Sequence, residues 1–269
     1  MPFASVRDIE IYYEIHGQGP RLFYIGGTGG DLRQKPNIFD SPLTKNFEVL
    51  SYDQRGLGQT SKPDQSYAMA DYAEDAYGLL EQLGWDSCFV SGISFGGMVA
   101  QELALRHPQP IKRLALICTS SGGKGGKSYP LHELSDLSDD EYAQKIIETS
   151  DLRCNASWQK SKPKQFELLK AQVLAKRLTK SSDEVVKRAA RRQLESRIGF
   201  DTFDRLPALK MPVKIAGGKY DGIAAIENQH ALHQQIPGSD LEFFEGGHLF
   251  ILQDPRAFDR LRDFLMADN

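Results

Sequence analysis

Three short stretches of this 269-residue chain hold residue types suited to nucleophilic catalysis. The first, Gly92-Ile93-Ser94-Phe95-Gly96-Gly97, fits the pattern G-x-S-x-G. A serine hydroxyl is a weak nucleophile unless a neighbouring base takes its proton. Of the histidines, His16, His107, His132, His230 and His233 fall in a turn, at a helix end, in a charged helical stretch or on a helix face. His248 stands apart in Glu245-Gly246-Gly247-His248, between an expected strand and the last expected helix. The base in turn needs an acid to fix its tautomer and stabilise the imidazolium. Asp221, in Gly217-Gly218-Lys219-Tyr220-Asp221, is the leading candidate. Asp204 precedes the relevant strand and Glu245 lies too close to His248 along the chain, so both rank below it.

These residues work together only if the fold carries them to one edge. Short apolar runs at 22–25, 47–52, 88–91, 113–118, 213–217 and 241–244 suit strands buried on both faces of a parallel sheet. An alternating run at 9–15 adds another. Helical patterns over 71–83 and 97–107 lie between strands, and a last helix is expected to start at Asp254-Pro255, with aspartate as cap. Strands alternating with helices predict an α/β fold with a mostly parallel central sheet flanked by helices. Ser94, Asp221 and His248 then all follow strands, at the carboxyl edge where such sheets bind ligands.

Residues 122–208 break this rhythm. They open with the glycine-rich loop 122–127, which lacks the strand and spacing of a phosphate-binding loop. Helix-period patterns follow at 141–147, 165–178 and 183–196, with no strand. The expected organisation is a core of residues 1–121 and 209–269, with 122–208 as a helical insertion between two strands.

Composition narrows the function classes. The net charge of −3 gives no reason to expect nucleic acid. No apolar run approaches the ~18 residues that span a bilayer, and no signal-peptide pattern opens the chain. Cys88, Cys118 and Cys154 are odd in number and widely spaced, which predicts reduced thiols, a cytoplasmic location and no metal site. Residues 151–200 hold 13 Lys/Arg against 5 Asp/Glu. That excess reads either as solvated helix faces or as a field favouring an anionic small-molecule substrate. Oligomeric state is not legible.

On these residues the chain resembles the α/β-hydrolase family over nearly its whole length. Asp53-Gln54-Arg55-Gly56-Leu57-Gly58-Gln59-Thr60-Ser61 is similar to the family turn D-x-R-G-x-G-x-S, with Thr60 as an extra residue. Gly246-Gly247-His248 followed by Asp254-Pro255 resembles its terminal motif. The order Ser94, Asp221, His248 is the family order of nucleophile, acid and base. The resemblance implies that residues 122–208 form a cap and that Asp53 and Arg55 support the loop before the active site. It also implies an oxyanion hole from the backbone N–H groups of Phe95 and Gly27. Many relatives carry His-Gly where this chain has Ile25-Gly26. The implied activity is hydrolysis of a carboxylic ester or lactone without a cofactor. Carbon–carbon bond hydrolysis and amide or aminopeptide cleavage share the machinery, and a non-catalytic small-ligand receptor shares the scaffold. Dehalogenation would need aspartate in place of Ser94. Specificity is expected to lie in the cap and in residues such as Cys118-Thr119-Ser120.

Overall fold

A computed structural model describes residues 2–267. Its strands are β1 (Phe3–Val6), β2 (Ile9–His16), β3 (Arg21–Ile25), β4 (Glu48–Tyr52), β5 (Cys88–Ile93), β6 (Ile111–Ile117), β7 (Val213–Gly218) and β8 (Asp240–Phe244). They form one sheet in the order β1-β2-β4-β3-β5-β6-β7-β8. β2 is antiparallel to both β1 and β4, and every pairing from β4 to β8 is parallel. The helices are α1 (Met69–Gln82), α2 (Phe95–Arg106), α3 (Asp139–Ser150), α4 (Ala156–Ser161), α5 (Pro163–Ala175), α6 (Glu184–Glu195), α7 (Ile226–Gln235), α8 (Phe250–Gln253) and α9 (Ala257–Met266).

Each sheet face carries its own apolar layer. One joins Phe23, Val90 and Ile215 to Leu79 of α1, Val99 and Leu103 of α2 and Leu232 of α7. The other joins Leu22, Val49 and Ile117 to Phe244 and to Leu261 and Leu265 of α9. The central strands are therefore mainly apolar on both faces, because both faces are covered. Between β6 and β7 the described residues form α3 to α6 and short 3-10 turns, apart from one bridge between Gly122 and Asp201. No helix among the described residues is long and apolar enough to cross a membrane.

The last helix departs from expectation. It begins at Ala257, not at Asp254. The Asp254 carboxylate instead accepts the Arg256 N–H and the Glu245 N–H, and closes a separate turn between α8 and α9. Asp254 thus ties the loop carrying His248 to the chain that follows it. β1 and α4 were not expected; each is only four to six residues long, too short for a periodic pattern to stand out.

Two tightly held clusters brace the sheet edge before the site. The Asp53 carboxylate accepts the Leu32 N–H at 2.7 Å and the Gln59 N–H at 2.8 Å. It therefore links the loop after β3 to the turn after β4. Arg55 is fully buried and grips Asp75 with two bonds of 2.7 Å and Asp8 with bonds of 2.7 and 3.0 Å. The extra Thr60 donates to the Asp53 carbonyl at 2.6 Å and accepts the Tyr12 N–H at 2.9 Å, which fastens the turn to β2.

Candidate active site

Ser94 sits where β5 ends and α2 begins, with φ 55° and ψ −117°. A positive φ is strained for a residue with a side chain, so the surroundings must hold it. The Ser94 N–H donates to the Ile117 carbonyl at 2.8 Å, and its own carbonyl accepts the Thr119 hydroxyl at 2.8 Å. Glycine is needed on both sides of the turn. A methyl group at Gly92 would stand 2.8 Å from the Ala100 Cβ, and one at Gly96 would stand 2.7 Å from the Ile25 carbonyl carbon. The strand, the helix and the loop after β3 meet at these two positions.

Asp221 follows β7 and His248 follows β8. The His248 Nδ1–H donates to Asp221 Oδ2 at 2.8 Å, and the Ser94 hydroxyl donates to His248 Nε2 at 2.9 Å. The tautomer follows from the carboxylate, which can only accept. Asp221 is buried, and its other oxygen accepts the N–H groups of Ile223 and Ala224 at 2.8 and 2.9 Å. The His248 backbone is fixed separately, by donation to the Ser150 carbonyl at the end of α3. The weaker acidic candidates lie elsewhere: Glu245 pairs with Lys219 and Asp204 with Lys124.

Gly27 lies beside the serine, so that a methyl group there would be 3.5 Å from the Ser94 Cβ. Among the described residues neither the Gly27 nor the Phe95 backbone N–H has a hydrogen-bond acceptor. The preceding carbonyl, that of Gly26, accepts the Gln54 side-chain amide at 2.7 Å, and the Gly29 N–H donates to Gln193 of α6 at 2.9 Å. The loop is therefore held from the sheet side and from the helical segment.

Sequence reasoning did not foresee the position of Cys118. Its backbone has φ 39°, and its thiol lies with the Asp221 carboxylate and His248 in one buried cluster whose ligand-type atoms are within 4.8 Å of one another. Both His248 nitrogens are already engaged by Asp221 and Ser94, so this trio offers no open imidazole to a metal. Burial alone would lower the His248 pKa, but the groups packed against the ring, the Asp221 carboxylate among them, outweigh it and the direction is upward. Burial pushes the Cys118 thiol up, so it remains protonated at neutral pH. The charge that favours the imidazolium is therefore that of Asp221.

Two cavities have walls that include chain neighbours of Ser94. One of about 310 Å³ is lined by Ile93, Gly26, Gln54, Leu249 and Leu252. The other, of about 270 Å³, is lined by Met98, one turn along α2, by Ser120 and by residues of the helical segment.

The family model for the alpha/beta hydrolase fold matches residues 20–255. The chain is 23% identical to a protein named "Putative carbamate hydrolase RutD" from Azorhizobium caulinodans, over 97% of this chain and 96% of that one. It is 24% identical to 3-oxoadipate enol-lactonase 2 of Acinetobacter baylyi, over 97% and 95% of the two chains. The solved enol-lactonase of Burkholderia xenovorans superposes with a TM-score of 0.79 at 23% identity, covering 99% of this chain and 100% of that one.

Proposed function

The chain belongs to the alpha/beta hydrolase family, and from that premise we propose that it is a serine hydrolase of carboxylic esters or lactones. The observation that carries this reading is the unbroken hydrogen-bond chain Ser94–His248–Asp221, with two unsatisfied backbone N–H groups beside it.

In this mechanism His248 Nε2 takes the hydroxyl proton as Ser94 Oγ attacks the substrate carbonyl. The N–H groups of Gly27 and Phe95 receive the developing oxyanion. Phe95 opens α2, so the positive end of that helix adds to the stabilisation. The carbon–oxygen bond to the leaving group breaks as His248 returns the proton to it. An acyl group then remains on Ser94. Water, deprotonated by His248, attacks that acyl carbon, and the Ser94 oxygen leaves with the proton that His248 gives back. Asp221 keeps Nδ1 protonated throughout. Residues 122–208 serve as the cap, and the unpaired cysteines accord with a cytoplasmic, reducing setting.

The relatives are named for different bonds, a carbamate in one and an enol-lactone in the other. The test is labelling with a fluorophosphonate probe, followed by a panel of esters, lactones, amides and dienoic diketones. The expected result is labelling that Ser94→Ala abolishes, with turnover highest on esters or lactones. An unlabelled wild-type protein would point to a ligand receptor and overturn the proposal. Turnover confined to amides or diketones would overturn the bond class alone.

A further inference from the structure

The arginines of residues 151–200 are paired with carboxylates, with one exception. Arg153 pairs with Asp151, Arg177 with Asp139, Arg191 with Asp136, and Arg188 and Arg192 both with Asp64. Among the described residues Arg197 is the arginine of this stretch without a carboxylate partner within ion-pair distance, and it lines a cavity. Its Nη2 donates to the Ser128 hydroxyl and, at 3.4 Å, to the Tyr129 carbonyl. Its Nη1 is shielded from solvent and has no partner. An unpaired cation under cover is costly, so such a group is usually compensated.

Two more orphaned polar atoms share that cavity wall. Ser120 Oγ and His132 Nδ1 are both buried and without partners. The wall also includes Lys127, and its apolar part includes Met98 and Phe200. One carboxylate, Glu133, lies on the lining, but its side chain is largely exposed and stands 4.0 Å from His132 Nε2. Burial without an opposing charge pushes the Arg197 pKa down to about 10, which leaves it cationic at neutral pH. The cavity adjoins the nucleophile turn. Met98 N–H donates to the Ser94 carbonyl, and Ser120 follows Thr119, whose hydroxyl holds that same carbonyl.

We propose that this cavity is a carboxylate-recognition pocket, in which Arg197, Ser120 and His132 receive the anionic group of a substrate whose ester or lactone carbonyl reaches Ser94. The proposal rests on the serine-hydrolase reading and adds a substrate class to it: esters or lactones that carry a free carboxylate. A planar guanidinium with a free N–H edge matches a carboxylate in geometry and charge. The serine hydroxyl supplies a further donor. His132 supplies another in its Nδ1–H tautomer.

The test compares 4-nitrophenyl hemiesters of adipic and suberic acids with their methyl-capped diesters, in which one methyl group replaces the distal charge. Wild-type protein is expected to favour the hemiesters by about 10–100-fold in kcat/KM, mostly through KM, from a hydrogen-bonded charge pair. Arg197→Gln should cut that ratio to within about threefold while keeping turnover of the capped esters, and Arg197→Lys should restore part of it. Lys176, an exposed cation on the other cavity, serves as the competing site. The proposal is overturned by a wild type without preference, by an Arg197→Gln variant that keeps it, or by a preference that Lys176→Gln removes instead. A thermal-shift titration with suberate dianion needs no turnover and separates this pocket from the hydrolase reading. If no ester is hydrolysed, a suberate-dependent rise in Tm that Arg197→Gln abolishes still supports the pocket. Absence of any rise then refutes it.

Discussion

Gly96→Ala tests whether the loop after β3 is part of the catalytic apparatus. The added methyl would stand 2.7 Å from the Ile25 carbonyl carbon and closer still to the Ile25 and Gly26 oxygens. Carbon atoms rest at about 3.5–4.0 Å, so relief needs a shift of roughly 1 Å. Neither neighbour is a flexible side-chain end; both are backbone, and they lead directly into Gly27. α2 is locked beneath, because Gly97 is pressed against Thr119. The loop must therefore yield, and it carries the Gly27 N–H away from the oxyanion position. Losing one oxyanion donor costs about 10²–10³-fold in kcat. Overpacking itself costs about 1–3 kcal/mol, a drop in Tm of several degrees in a chain of this size. The assay is steady-state hydrolysis of an activated aryl ester beside a thermal melt. Gly26→Ala is the steric control, since a methyl group there meets nothing within 4 Å and should leave Tm near wild type. A folded Gly96→Ala protein with kcat within about threefold of wild type would refute the reasoning.

The raised His248 pKa means that its imidazolium persists to a higher pH than free imidazole, and only the neutral ring can accept the Ser94 proton. Activity should therefore fall on the acid side with a midpoint above 6.5, read from log kcat/KM against pH; a midpoint at or below 6.5 contradicts the assignment. Asp75→Ala leaves the buried Arg55 guanidinium with only the half-exposed Asp8. Breaking a buried pair costs about 3–5 kcal/mol, measurable by urea unfolding, and a loss under about 1 kcal/mol would show that the pair is compensated elsewhere.

The sequence disclosed the parts of the site that depend on backbone shape. Gly92 and Gly96 are written into the chain because nothing larger fits, so the turn at Ser94 was legible. Asp221 and His248 were legible because each directly follows an apolar strand, and the sheet fixes where such residues arrive. The order of strands was not, since β4 lies outside β3 for reasons of packing between distant segments. Cys118 meets His248 across 130 residues of chain, and no local pattern announces that. Arg197 was hidden in a different way. It is one of 13 basic residues in a 50-residue stretch, and only the carboxylate partners of the other arginines there set it apart. The start of α9 was misplaced because Asp254-Pro255 is a good helix opening, but the aspartate is occupied in bracing the His248 loop.

The bond from the Gly29 N–H to Gln193 has a mechanical consequence. Gln193 belongs to α6, while Gly29 lies two residues beyond the Gly27 that lines the serine. A hydrogen bond of this kind loses most of its strength when stretched by about half an ångström or misaligned. Any displacement of α6 therefore also slackens the strap that steadies the loop carrying Gly27. Helix α6, 164 residues removed in sequence from Gly29, thus bears directly on where Gly27 sits beside the serine.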